Sequence, residues 1–298
     1  MVKTELHRLV LDDDDEVLLE HLSVPFNRAN IDAKDCVGWT PLHWACSKNM
    51  VVSARILLEH GANACSATDD GWTPAHDAAR LGSKDLLDLL QKHGAKLSAA
   101  TTTGTTPLHY CVQYGHGKAV NWMTHMWEEG RKEINRPNVQ GWTPLHFSAR
   151  YGRPELAKQL LESGASAFHK DKQGRHPRGT AENAMARIKA GTLKITKSPH
   201  SDTASIEDYE KVAQMIQQAE KEQLNKCRMV AMSAVVNAEI SIEGQDLVEA
   251  IGSLQIAIEN YKLVDMHEQV MEIEQHIQKL EAQLAASDAT VLSVDCAG

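Results

Sequence analysis

At 298 residues the chain is long enough for about two domains, and its 42% apolar residues give it the means to bury a core. Its formal charge of −9 comes from 40 acidic against 31 basic residues; residues 205–285 hold 15 of the acids and 6 of the bases, so the remainder carries 25 of each sign. That balance leaves no basic stripe for nucleic acid, no run approaches the roughly 18 apolar residues of a membrane helix, and six scattered cysteines without a C-x-x-C pair argue against a disulfide framework or a zinc site.

In chain order, residues 1–35 predict a divergent opening unit. Leu6, Leu9, Val17, Leu18, Leu19 and Leu22 are spaced for helices around the acidic loop at Asp12 to Asp15, where a secretory signal would need basic and apolar regions. An intracellular location is therefore expected, cytoplasmic, nuclear or cytoskeletal, with the cysteines reduced.

From Gly38 a hexamer recurs. Gly38-Trp39-Thr40-Pro41-Leu42-His43 returns as Gly71-Trp72-Thr73-Pro74-Ala75-His76, as Gly104-Thr105-Thr106-Pro107-Leu108-His109 and as Gly141-Trp142-Thr143-Pro144-Leu145-His146. A worn fifth copy follows at Gly174-Arg175-His176-Pro177. Each threonine is placed to cap a helix and each proline to fill its first turn, where a missing N–H costs nothing. Gly82, Gly115 and Gly152, with Asn49 in the first copy, are placed to end the short first helix in a left-handed conformation, and Gly61, Gly94, Gly130 and Gly164 the second. Apolar sets such as Leu86, Leu87, Leu89 and Leu90 lie between those stops, and no single unit can bury such a face, so the units must stack.

The copies resemble ankyrin repeats, whose signature is G-x-T-P-L-H at a period of about 33 residues. The resemblance covers residues 1–190: the divergent unit 1–35, repeats near 36–68, 69–101, 102–138 and 139–171, and a degenerate unit 172–190. It implies an all-α solenoid of helix-turn-helix units with short hairpin loops, whose concave face receives a protein. Mapped onto this sequence, that face would carry Trp39, Lys48, Trp72, Arg80, Leu81, Tyr114, Trp142, Arg150 and Tyr151, rich in residue types common at binding hot spots. A second reading of the tryptophans, packing on the neighbouring hairpin, stays open. The resemblance also implies that His43, His76, His109 and His146 bond to the backbone of the adjoining hairpin, a structural role and not a metal or catalytic one. The third unit has 15 residues between Gly115 and Gly130 where its fellows have 12, which predicts a second helix longer by nearly one turn. Trp122 then falls in the core, and Trp127 either in the core, the favoured placement, or outward.

Beyond the repeats, 191–204 reads as a polar linker containing Ser198-Pro199, a weak candidate for proline-directed phosphorylation. Residues 205–285 contain no proline, tryptophan or phenylalanine. Ser205 with Asp208 signals a helix start, and Ser241 to Gly244 an interruption. The stripe Leu247, Ile251, Leu254, Ile258, Tyr261 is out of phase with Val270, Ile273, Ile277, Leu280, Leu284, so a break near Leu263 and Val264 is expected, aided by a capping pair at Asp265 and Glu268. That makes a C-terminal helical hairpin or bundle, or a short coiled coil, with residues 286–298 as a tail. Each stripe runs only about two heptads, so folding back within the chain is favoured over self-association.

No catalytic, cofactor or metal residues emerge. Gly115-His116-Gly117-Lys118 lacks the earlier glycine and the hydroxyl residue of a phosphate loop, and His267-Glu268 lacks the second histidine of a zinc protease, where Met271 stands. The expected function is a non-enzymatic adaptor or scaffold that binds protein, not nucleic acid and not by membrane insertion, with the acidic helices as a second interaction or packing element. The alternative is a structural subunit of a cytoskeletal or other large assembly.

Overall fold

The computed structural model describes residues 4–12, 14–127, 129–190, 192, 204–243, 246–264 and 266–295. Ser198, most of the 191–204 segment, Asp265 and Cys296 lie outside them. Every element among the described residues is a helix or a turn. Two compact units are formed, residues 1–216 and 217–298.

The first unit opens with α1 (Glu5–Leu11), α2 (Asp15–Ser23) and the short α3 (Pro25–Arg28). Three regular helix pairs follow: α4 (Pro41–Ser47) with α5 (Val51–Glu59), α6 (Pro74–Leu81) with α7 (Lys84–Lys92), and α8 (Pro107–Tyr114) with α9 (Gly117–His125). After the short α10 (Gly130–Glu133) come α11 (Pro144–Arg150), α12 (Pro154–Glu162) and α13 (Pro177–Lys189). The first helices stack in a row, α1 on α4, α4 on α6, α6 on α8, α8 on α11 and α11 on α13; α2, α5, α7, α9 and α12 form a second row. Leu42, Leu57, Leu86, Leu87, Leu90, Leu108 and Leu145 are fully buried between them. At about 1.5–3 kcal/mol for each such side chain, this apolar seam is the main force holding the stack together.

Each of α4, α6, α8 and α11 starts at the motif proline, with a capping box between the motif threonine and histidine. Gly82 and Gly115 cap in the left-handed region, and Asn49 adopts it too, at φ 61°. The hairpins between units are equally regular. The N–H of Asp35, Thr68, Thr101, Asn138 and Asp171 bonds to the carbonyl four residues on, at 2.8–3.0 Å. Gly104 at a hairpin tip has φ +74°, and a Cβ there would sit 2.8 Å from the backbone nitrogen of Val139 on the next tip. Glycine is required by both the dihedral and the approach of the neighbour.

The third unit departs from expectation. Its second helix α9 has nine residues, the same as α5, α7 and α12, so the three extra residues do not lengthen it. They form the connection into α10. Gly130 is not a left-handed helix stop; it begins α10, and a Cβ on it would collide with the Met123 carbonyl. Trp127, just beyond α9, turns inward and is 6% exposed, closing the helix end that glycine closes elsewhere. The burial of a large indole there favours this path over another helical turn.

The degenerate fifth unit contributes α13, packed on α11. The first turns of α14 (Ile206–Glu243) also belong to the first unit and bury Tyr209, Val212, Ala213 and Ile216. Ser205 and Asp208 cap α14 reciprocally, and the Tyr209 hydroxyl donates to the Arg150 carbonyl at 3.3 Å.

In the second unit α14 continues, followed by α15 (Leu247–Leu263) and α16 (His267–Asp295). The last runs through most of the stretch that composition sets apart as a tail. α15 and α16 form a hairpin around Leu254, Ile258, Tyr261, Val270, Ile277 and Leu280, joined by Ala231, Ala234 and Ala238 of α14. Lys262 and Glu274 pair across the hairpin at 3.2 Å. No described helix is long and apolar enough to cross a membrane.

Candidate functional site

The face made by the hairpins and the first helices is assembled from positions that recur once per unit. The motif histidine is its keystone. Nδ1 of His43, His76, His109 and His146 accepts from the backbone N–H of its own cap threonine at 3.1–3.2 Å, so Nε2 carries the proton. Nε2 donates across to the next hairpin, to the carbonyls of Trp72, Thr105, Trp142 and Arg175, at 3.1–3.2 Å. Burial lowers all four to a pKa of about 4, the accepting carbonyls opposing the shift, so the rings are neutral at neutral pH.

The opening unit carries the same device. Thr4-Glu5-Leu6-His7 is the motif without its proline, and the His7 Nε2 reaches the Trp39 carbonyl at 2.9 Å. The divergent opening unit thus keeps a T-x-L-H remnant of the hexamer.

With its carbonyl held from behind and its N–H bonded to the first hairpin residue, each residue after the motif glycine is fixed in direction. Trp39 N–H donates to Asp35 at 2.9 Å, Trp72 to Thr68 at 3.2 Å and Trp142 to Asn138 at 2.9 Å. The indoles then lie half-buried against the first helices, where they meet a row that sequence reasoning missed, the residue after each motif histidine. Trp39 tilts against Trp44 at 5.1 Å, Trp72 meets the edge of Tyr110 at 4.8 Å, and Trp142 meets Phe147 at 5.7 Å. Phe147 also stacks on Tyr151 at 6.2 Å. The missed signal is that this position is aromatic in three of the four copies. Each tryptophan packs against a ring on a first helix and leaves part of its own ring at the surface.

In the second copy the same position is Asp77, a carboxylate buried among these rings and paired with Arg80 at 3.2 Å. Burial raises its pKa to about 6, and the Trp72 indole and Arg80 oppose the rise. Of the remaining positions mapped to this face, Lys48 is exposed, whereas Leu81, Tyr114, Arg150 and Tyr151 are partly buried at the ends of their helices. Tyr114 stacks on His116 at 6.4 Å.

At its far end the face closes into a cleft of about 100 Å³ lined by Trp142, Arg150, Arg175, Thr180, Asn183 and Arg187. Arg175 is neutralised by Asp171, to which it donates twice, at 2.7 and 2.9 Å. Burial alone would raise Asp171, but these bonds hold its carboxyl below the ordinary value. Among the described residues Arg150 and Arg187 have no ion-pair partner, so the cleft has a positive excess suited to a carboxylate or phosphate.

No group of histidine, cysteine and acidic side chains among the described residues could hold a metal ion. Cys46 and Cys111 are buried, with burial pushing both thiols up, and are poor nucleophiles.

The family model for ankyrin repeats in three copies matches residues 6–101 and 96–171. Among solved structures, the ankyrin repeat protein EF0377 aligns at 22% identity and a TM-score of 0.56, over 72% of this chain and 96% of its own. An ankyrin repeat domain from Acinetobacter baumannii AYE aligns at 24% identity, with the same score and coverage. No curated protein sequence matches.

Proposed function

The chain belongs to the ankyrin-repeat family, and on that premise we propose that the aromatic face of the array docks a protein partner, making the molecule a non-enzymatic adaptor or scaffold. Ankyrin repeats generally mediate protein–protein interaction. The observation that carries the reading is the ladder itself: half-buried aromatic rings held in fixed orientation, repeating once per unit and ending in an arginine-lined cleft. Rigid aromatics lose little entropy on binding, and the arginines supply direction. The partner therefore presents an apolar or aromatic strip to the ladder and an acidic group to Arg150 and Arg187. The C-terminal helices serve as a second interaction or packing element.

The test is capture of partners by proximity labelling with the native chain and with the Tyr114→Ala, Arg150→Glu double variant. Circular dichroism on the purified variant monitors the fold. Loss of one or more partners from a folded variant supports the docking face. Retention of every partner removes it.

A further inference from the structure

The second unit leaves one helix face uncovered. On α14, Ala231, Ala234 and Ala238 pack against α15 and α16, while Met229, Met232, Val236 and Ile240 are 69%, 60%, 51% and 61% exposed. Their steps of three, four and four residues place them in a single stripe, roughly opposite the alanine face. An apolar stripe about 16 Å long, rich in adaptable methionine, is an expensive surface to leave in water.

The charges beside the stripe indicate what covers it. Arg228 and Glu239 are both exposed, and among the described residues neither is in an ion pair. They are eleven residues apart, about three turns, and so lie on the same flank of the helix. The pattern is also palindromic about Ala234: Met232 and Val236 lie two residues to either side, Met229 and Ile240 five and six, Arg228 and Glu239 six and five. In an antiparallel helix pair related by a two-fold axis, matching flanks face one another. Such a pair would set Arg228 of each copy against Glu239 of the other and superpose the two stripes. A parallel pair would bring unlike flanks together and leave these charges unmatched.

We propose that α14 is a self-association surface, and that two copies of this chain pair antiparallel through Met229, Met232, Val236 and Ile240, with Arg228 and Glu239 bridging at both ends. The proposal is independent of the docking face on the array. It is compatible with the fold-back expected from the sequence, because the hairpin of α15 and α16 uses the opposite side of α14. Four apolar side chains per copy make a small interface, so the dimer is weak and concentration-dependent.

Sedimentation equilibrium on the full chain, from about 1 to about 500 µM, tests it. The wild type should move from monomer toward dimer across that range, and Val236→Glu should stay monomeric with unchanged helicity. Arg228→Glu and Glu239→Arg should each weaken the dimer by roughly tenfold, and the double reversal should return it to within about threefold of wild type. A wild-type chain that is monomeric throughout overturns the proposal. So does a double reversal as weak as its two single changes combined, since that outcome denies the antiparallel register.

Discussion

Lowering the pH from 7 to 5 should strongly destabilise the repeat array, because its buried histidines take up protons only on unfolding. In the folded chain His43, His76, His109 and His146 have pKa values of about 4, because their rings are buried and Nδ1 is occupied by a threonine N–H. In the unfolded chain they titrate near 6.5. Between these values the unfolded state binds more protons, so the stability these groups contribute is complete above about pH 6.5 and is lost as the pH falls toward 4. Each histidine accounts for about 2 kcal/mol between pH 7 and 5, hence on the order of 7 kcal/mol for four independent sites. Asp77 works the other way: its folded pKa of about 6 is raised, so protonation stabilises the native state and returns about 1 kcal/mol over the same interval. The net loss, on the order of 6 kcal/mol, compares with the whole stability of a typical domain. All six tryptophans lie between Trp39 and Trp142, so their fluorescence in a urea titration reports on the array alone. The midpoint should fall by about 2 M between pH 7 and 5. His109→Gln should flatten that dependence, and Asp77→Asn should steepen it. A midpoint unchanged over this range would refute the picture of neutral histidines clamped between cap and hairpin.

Three further outcomes follow from the geometry. Gly94→Ala, at φ +83° with open space around it, should cost about 1 kcal/mol, whereas Gly104→Ala adds a clash with Val139 and should cost about 3 kcal/mol in the same urea assay. Equal costs would mean the hairpin tips do not touch. Trp127→Ala should destabilise the array by about 3 kcal/mol, since the ring fills the end of α9; a neutral result would place that ring outside the core. Tyr209→Ala should cost about 3 kcal/mol and speed proteolysis at the start of α14, while Tyr209→Phe loses only the bond to Arg150, about 1 kcal/mol.

The solenoid is legible in the sequence because Thr-Pro-x-His encodes local events: a cap, a first turn and one bond to the next hairpin. Where the pattern is local, as at Thr40 to His43, reading and structure coincide. Trp127 lies in the core, the favoured placement, but the longer helix and the stop at Gly130 expected from counting residues between glycines do not form, since whether extra residues extend a helix or fold beneath it depends on where a large ring can be buried, a property of the packed unit. The ladder was only half visible. The tryptophans stand beside a conspicuous glycine, but Trp44, Asp77, Tyr110 and Phe147 follow the histidine inside the helix, and their meeting with the indoles depends on hairpin geometry. The Arg150 and Arg187 cleft joins residues 37 positions apart in sequence and has no motif. The stripe on α14 is not legible in the sequence, because its core-facing alanines look less apolar than the methionines, valine and isoleucine that remain outside.

The central claim, that the hairpins and first helices form the docking face, is tested most directly by cross-linking mass spectrometry on a partner complex captured by proximity labelling. Cross-links should concentrate on Lys48 and Lys172, beside the ladder and the hairpin tips, and spare Lys84, Lys118 and Lys158 on the second-row helices. Cross-links confined to the second row, with Lys48 and Lys172 reacting as in the free chain, would contradict it.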